Sequence, residues 1–258
     1  MSAPRRPVLL VILDGFGVNP SKVNNAIAEA DTPNLDAYFS RYSHSVIQAS
    51  GPAVGLPEGQ MGNSEVGHLT LGSGCILRQD LVKIDEAIYN GGFQKNPALL
   101  AACANARDSG SPLHLMGLFS DGGVHSHNRH LLALIKLCRR EGVTPLLHLI
   151  TDGRDTPPHS AMDFLAPVEA ALQHARGAIG SVMGRYFAMD RDHRWDRTER
   201  AWRMVMLGKG RRGQDVRGAI RAAYSAGESD EFIQPTILPD WRPPGPDEPL
   251  VFFNFRKD

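Results

Sequence analysis

Beyond residue 78 the sequence alternates between short apolar runs and stretches with helical spacing, and this alternation restricts the chain more than any other feature. Helices are predicted over 81–89, 97–107, 128–140, 160–174, 196–207 and 216–226. The runs at 113–119, 145–150, 178–183 and 250–255 are apolar and too brief for helices, so they read as strands. Residues 231–238 are expected to be extended, and the proline-rich stretch 235–249 to be a loop. Strands that alternate with helices predict an α/β fold with a mostly parallel sheet.

The first 78 residues have a different texture. The run 8–13 is apolar and ends at Asp14-Gly15, which predicts a strand buried on both faces, and 45–49 reads as a second strand. Thr32 followed by Pro33 predicts a helix start. Residues 50–74 are glycine-rich, small and polar, with Pro52 and Pro57, and read as a long loop, either functional or disordered. The change at the end of that stretch predicts two pieces, 1–78 and 79–258.

The 28 basic and 28 acidic side chains cancel, which gives no support to a nucleic-acid partner or a membrane surface. No segment approaches the ~20 apolar residues of a membrane helix, and the run 8–13 is too short for a signal-peptide core. Cys75, Cys103 and Cys138 lack CxxC spacing and read as free thiols. These features together predict a cytoplasmic protein.

Chemically capable residues follow the predicted strands at their carboxyl ends, where ligands bind in open parallel sheets. Asp14 follows the first run, Asp121, His125 and His127 follow 113–119, and Asp152, Arg154 and Asp155 follow 145–150. Arg185 and Arg191 follow 178–183, and Arg256 follows the last strand. Asp14 is either a ligand for a hard divalent cation or a turn aspartate. His125 and His127 are metal ligands, donors to an anion, or plain loop residues. Arg154 beside Asp155 offers a fork for anions and an acceptor for hydroxyls, or else a local surface ion pair. Arg185 and Arg191 can converge on one carboxylate or phosphate. Ser64, in Met61-Gly-Asn-Ser-Glu-Val-Gly-His68, sits where a helix or turn can begin. There it is a nucleophile awaiting activation by a base or metal, or a helix cap. A Gly-x-Ser-x-Gly elbow is not present in the sequence. A phosphorylated hydroxy acid carries roughly −2.5 to −3 charge near neutral pH, which several converging arginines would balance.

The segments VILDGFG, GQMGNSEVGHLTLGSG, SDGGVHSH, TDGRDTPP, GRYFAMDRDHRWDR and VFFNFR together resemble cofactor-independent phosphoglycerate mutases, in the family's order and across nearly the whole chain. The resemblance implies a partial alkaline-phosphatase-like domain over 1–78, then an inserted α/β phosphoglycerate-binding domain over 79–258. It implies interconversion of 3- and 2-phosphoglycerate in glycolysis through a phosphoserine at Ser64. It makes Asp14 and Ser64 ligands of one of two manganese ions, and His125, Arg154, Asp155, Arg185, Arg191 and Arg256 the substrate-binding set. Complete family members are monomers of roughly twice this length, and their second half supplies most of the metal ligands. The chain by itself is therefore expected to be inactive, with a complementing C-terminal chain as a possible partner. Two other readings stay open: a non-catalytic fragment or half of a split enzyme, and another phosphatase-like phosphomonoesterase or phosphomutase. The second would share Asp14 and Ser64 but lack the arginine-rich insert.

Overall fold

A computed structural model describes residues 7–257, and the chain divides into two compact units between Gln79 and Asp80. In the first unit the regular elements are helices α1 (Ala26–Glu29), α2 (Pro33–Arg41) and α3 (Ser64–Ser73), with a 3₁₀ turn at Gly51–Val54. Its buried cluster is small: Val54, Leu56 and Val66. Neither strand predicted here forms. Residues 8–13 are irregular and exposed, Val8 at 95% and Ile12 still at 43%, and Val46 and Ile47 are exposed as well. A strand needs a neighbour to satisfy its N–H and C=O groups, and no other segment among the described residues of this unit is extended into a ladder.

The stretch 50–74 is only half a loop, because α3 occupies its second part. Asn63 makes that possible: its side chain accepts the Val66 N–H at 3.0 Å and caps the helix. Thr32 does stand at the N-cap of α2 with Pro33 behind it, but its hydroxyl turns to the Asp36 carboxylate and not to a backbone amide.

The second unit contains helices α4 (Asp80–Tyr89), α5 (Pro97–Ser109), α6 (Asn128–Glu141), α7 (Ala161–Ala175), α8 (Arg185–Ala188), α9 (Trp195–Leu207) and α10 (Val216–Ser225). Its strands are β1 (Leu113–Phe119), β2 (Pro145–Thr151), β3 (Ala178–Gly184), β4 (Arg211–Arg212), β5 (Thr236–Ile237) and β6 (Leu250–Phe252). They form one sheet in the order β4-β5-β3-β2-β1-β6. All pairings are parallel except β3 with β5. The expected α/β fold with a mostly parallel sheet is the one observed. The short β4 was not foreseen, and β5 lies where the stretch expected to be extended, 231–238, overlaps the one read as a proline-rich loop, 235–249. Residues 231–238 are extended only in part, since Asp230–Phe232 is a 3₁₀ turn.

The helices cover both faces of the sheet. One face packs against α5, α6, α7 and α10 through residues such as Leu115, Leu149, Val182, Leu131 and Leu165. The other packs against α8 and α9 through Leu118, Ile150, Met183, Phe187 and Met204. Alternate strand residues point to opposite faces, so His114, His148 and Ser181 share the second face with Leu118, Ile150 and Met183. There they form a fully buried ladder. The Ser181 hydroxyl and His148 Nδ1 are 2.8 Å apart, His148 Nε2 and His114 Nδ1 3.0 Å, and His114 Nε2 and Glu248 3.0 Å. A carboxylate only accepts, so the direction of every bond follows from Glu248. His114 donates to it, His148 donates to His114, and Ser181 donates to His148, with both rings neutral.

Burial holds both imidazoles below their usual range, and the neighbouring His114 adds to this at His148, which is pushed down to about 3. In the unfolded chain the same histidines take up protons near pH ~6.5. The folded state therefore loses stability as pH falls below that value. The three tryptophans, Trp195, Trp202 and Trp241, all lie in this unit and report its unfolding. Urea midpoints read by tryptophan fluorescence should fall between about pH 7.5 and about pH 5, and His148→Gln should remove about 2 kcal/mol of that fall. An equal pH dependence in the variant counts against the neutral ladder.

Candidate functional site

Four adjacent parallel strands, β6, β1, β2 and β3, deliver their carboxyl-end loops to the same edge of the second unit. After β1, the Ser126 hydroxyl bonds back to the Leu118 carbonyl. His127 caps α6 by accepting the Arg129 N–H at 3.1 Å. Burial, with Arg129 nearby, lowers the His127 imidazole to about 4. His125 immediately precedes these two anchors and is buried.

After β2 the chain turns on Asp152, whose Oδ1 accepts the N–H groups of Arg154 at 3.1 Å and Asp155 at 3.0 Å. After β3, Gly184 leads directly into α8 and Arg185. Both turns rest on the 230–231 segment. Asp230 accepts the N–H groups of Ser160 and Ala161 at 2.9 Å, capping α7 from a distance, and its carbonyl receives the Thr151 hydroxyl at 2.7 Å. A side chain at Gly153 would meet Glu231 N at 2.7 Å, and one at Gly184 would meet Glu231 O at 2.1 Å.

Arg185 is the centre of the site and is 5% exposed. Its Nη1 donates to Asp152 Oδ1 at 2.7 Å and Asp155 Oδ2 at 2.6 Å, and its Nη2 is 3.1 Å from His125 Nε2. A guanidinium only donates, so His125 Nε2 is the acceptor and the imidazole is neutral in this arrangement. Burial alone would raise the Asp152 carboxyl. The Ser120 hydroxyl, the Asp155 N–H and Arg185 outweigh it and hold the group below the usual carboxylate range.

A cavity of about 270 Å³ opens beside Arg185, lined among others by Arg154, Tyr186, Arg191, Arg197 and Glu231. Arg154 is more than half exposed, 3.9 Å from Glu231. The loop that carries Arg191 is tied by Asp190, which accepts the Arg194 N–H at 2.7 Å and the Arg197 guanidinium at 3.0 Å. Arg197 in turn lies 4.0 Å over the Tyr186 ring. The Phe255 and Arg256 N–H groups both point to the His125 carbonyl, at 2.9 and 3.4 Å, which sets the Arg256 backbone beside His125. The structure thus brings His125, Asp155 and Arg185 into direct contact, and Arg154, Arg185 and Arg191 into one cavity. Asp152, Asp190 and Arg197 are the supports that motif reading left out of the site. Asp152 was visible as a strand-end carboxylate, whereas nothing in the spacing links Asp190 to Arg197.

In the first unit, Ser64 opens α3 and its hydroxyl donates to Asp14 Oδ2 at 2.7 Å. His68, one turn later, places Nδ1 2.8 Å from the Ser64 carbonyl and 3.2 Å from its hydroxyl. Because Asn63 does the capping, the Ser64 hydroxyl is not spent on the helix end. Asp14 and Ser64 are hard oxygen donors, the right chemistry for a divalent ion. They do not complete a coordination shell. Among the described residues no group of three or more His, Cys, Asp and Glu side chains is arranged to hold a metal.

The second unit is an α/β unit with a mostly parallel sheet and with arginines, a histidine and carboxylates gathered at its strand ends. The family model described as "BPG-independent PGAM N-terminus (iPGM_N)" matches residues 84–258, and the chain belongs to that family. It is 49% identical to the 2,3-bisphosphoglycerate-independent phosphoglycerate mutase of Moorella thermoacetica, over 99% of this chain and 51% of that protein. It is 51% identical to the corresponding protein of Symbiobacterium thermophilum, over 100% of this chain and 50% of that one. A crystal structure of Leishmania mexicana phosphoglycerate mutase at low cobalt concentration matches with a TM-score of 0.80 and 36% identity, over 99% of this chain and 50% of that one. The chain spans about half the length of the curated relatives it matches. The fold expected from the resemblance, a partial phosphatase-like piece followed by an α/β domain, fits this membership.

The close approach at Gly184 can be tested. Gly184→Ala places a methyl group against the Glu231 carbonyl, a backbone atom that cannot swing away. It should destabilise the second unit by about 2 kcal/mol or more, read as a lower urea midpoint of tryptophan fluorescence. An unchanged midpoint would show that the 230–231 turn yields freely.

Proposed function

We propose that this chain is the N-terminal half of a cytoplasmic, cofactor-independent phosphoglycerate mutase, an isomerase that interconverts 3- and 2-phosphoglycerate in glycolysis. The observation that carries this reading is the buried Arg185, held between two carboxylates and His125 beside an arginine-lined cavity at the strand ends. In this reading residues 79–258 grip the substrate and residues 1–78 carry the nucleophile. Arg154, Arg185, Arg191 and Arg256 balance the phosphate and carboxylate charges. Asp155 accepts from a glycerate hydroxyl, and His125 completes the set. Ser64 receives the phosphoryl group from one hydroxyl of the glycerate. The glycerate then turns in place and takes the group back on its other hydroxyl.

Manganese is the metal we assign, by family. When bound, manganese would polarise the phosphoryl group and lower the pKa of the serine. Asp14 and Ser64 would be two of its ligands. The remaining donors, and the partners for the exposed run 8–13, are assigned to a C-terminal chain of the family. The complete enzyme is assigned as a monomer.

The purified chain with manganese should not interconvert the two phosphoglycerates, and adding the C-terminal half of a relative should produce activity that Ser64→Ala abolishes. Turnover by the 258-residue chain alone would overturn the division of labour. Independently, titration calorimetry with 3-phosphoglycerate should show saturable heat that Arg185→Ala removes. If the wild-type chain gives no heat, the second unit is not the substrate grip.

A further inference from the structure

Arg185 meets two carboxylates, and they are not equivalent. Asp152 is buried, its side chain 1% exposed, and the same Oδ1 that receives Arg185 Nη1 also receives two backbone N–H groups of its own turn. Its bond to Arg185 is therefore part of the loop's internal structure. Asp155 is 22% exposed on its side chain, and its carboxylate meets the Arg185 guanidinium at 2.6 Å and lies 3.7 Å from His125. A buried arginine without a carboxylate would be a large desolvation cost, and the rigid fork can serve one partner on each edge. One guanidinium nitrogen, Nη1, carries both carboxylates here, while Nη2 faces His125.

We infer that Asp152 is the positioning residue of the site, holding Arg185 permanently in place, and that Asp155 is an exchangeable counter-ion standing where an anionic ligand group is to bind. The inference rests on the reading of the second unit as a phosphoglycerate grip, and it adds a division between the two aspartates that motif matching does not make. When an anion arrives, Asp155 can release Arg185 Nη1 toward it and turn its own oxygens to ligand hydroxyls. Asp152 cannot follow, because moving it would also strip the Arg154 and Asp155 N–H groups of their acceptor. The guanidinium then keeps one buried bond throughout, and its side-chain entropy is already lost before the ligand binds.

The two aspartates should respond in opposite ways in the full chain. With inorganic phosphate as the probe in titration calorimetry, Asp155→Asn should bind as tightly as the wild type or tighter. Asp152→Asn should bind about ten-fold or more weakly to phosphate and to 3-phosphoglycerate. A readout that needs no ligand is the NMR signal of the Arg185 guanidinium, whose rotation is hindered while it is anchored. The hindered signal should persist in Asp155→Asn and disappear in Asp152→Asn. If Asp152→Asn does not fold, Asp155→Asn still decides: loss of the hindered signal there would make Asp155 the anchor and overturn the assignment. Absence of any phosphoglycerate heat in the wild type, with the hindered signal intact, would defeat the proposed function while leaving Asp152 as the anchor. Equal weakening of phosphate binding in both variants would defeat the division itself.

Discussion

The parallel pairing of β6, β1, β2 and β3 is the constraint on which the second unit depends. Parallel strands must be connected by crossovers, and α6 and α7 supply them on one face. The same pairing sends every strand's carboxyl end to one edge, so loops far apart in sequence meet there. His125, Asp152, Asp155 and Arg185 are contributed by three strands in turn, and the backbone of the Arg256 segment joins them from a fourth. An antiparallel sheet of the same composition would have scattered these loops over two edges.

Burying an arginine with two carboxylates is a costly way to hold a fold together, since desolvation offsets most of the Coulomb gain. The arrangement is better understood as preorganisation. The Asx-type turn at Asp152, the remote cap from Asp230, and the glycines at 153 and 184 all make the position of Arg185 rigid before any ligand is present. Each acts through backbone geometry, which a side-chain motif does not reveal. Asp230 is the clearest case: it lies among residues with no motif around it, yet it ties the start of α7 to the end of β2.

Much of the second unit was legible because its signals are local. The runs at 113–119, 145–150 and 178–183 became strands with nearly the expected bounds, since each is apolar on both faces and flanked by helix-forming sequence. Arg154, Arg185 and Arg191 could be placed at one site because they follow strands that a parallel sheet aligns. Asp190 with Arg197, and the ladder from Ser181 to Glu248, were not legible. They depend on register and on which face a residue occupies, and a one-residue shift would have separated them. Arg211–Arg212 formed a strand against expectation because Pro235 and Ile237 offered carbonyls to the N–H groups of Arg211 and Gly213, a non-local cause.

The first unit shows the converse. The run 8–13 has the composition of a central strand, and its strand propensity is intact, but propensity does not supply hydrogen-bond partners. A lone strand leaves its donors and acceptors to water and its apolar side chains uncovered, which is the state of Val8, Leu9 and Leu10 here. Ser64 and Asp14 lie in this same unit and still find each other, because the pair needs only the Asp14-Gly15 turn and the capped start of α3. A single side-chain contact is therefore in place where sheet structure is not. That difference explains why the Ser64–Asp14 contact forms here while the strand expected to end at Asp14 does not.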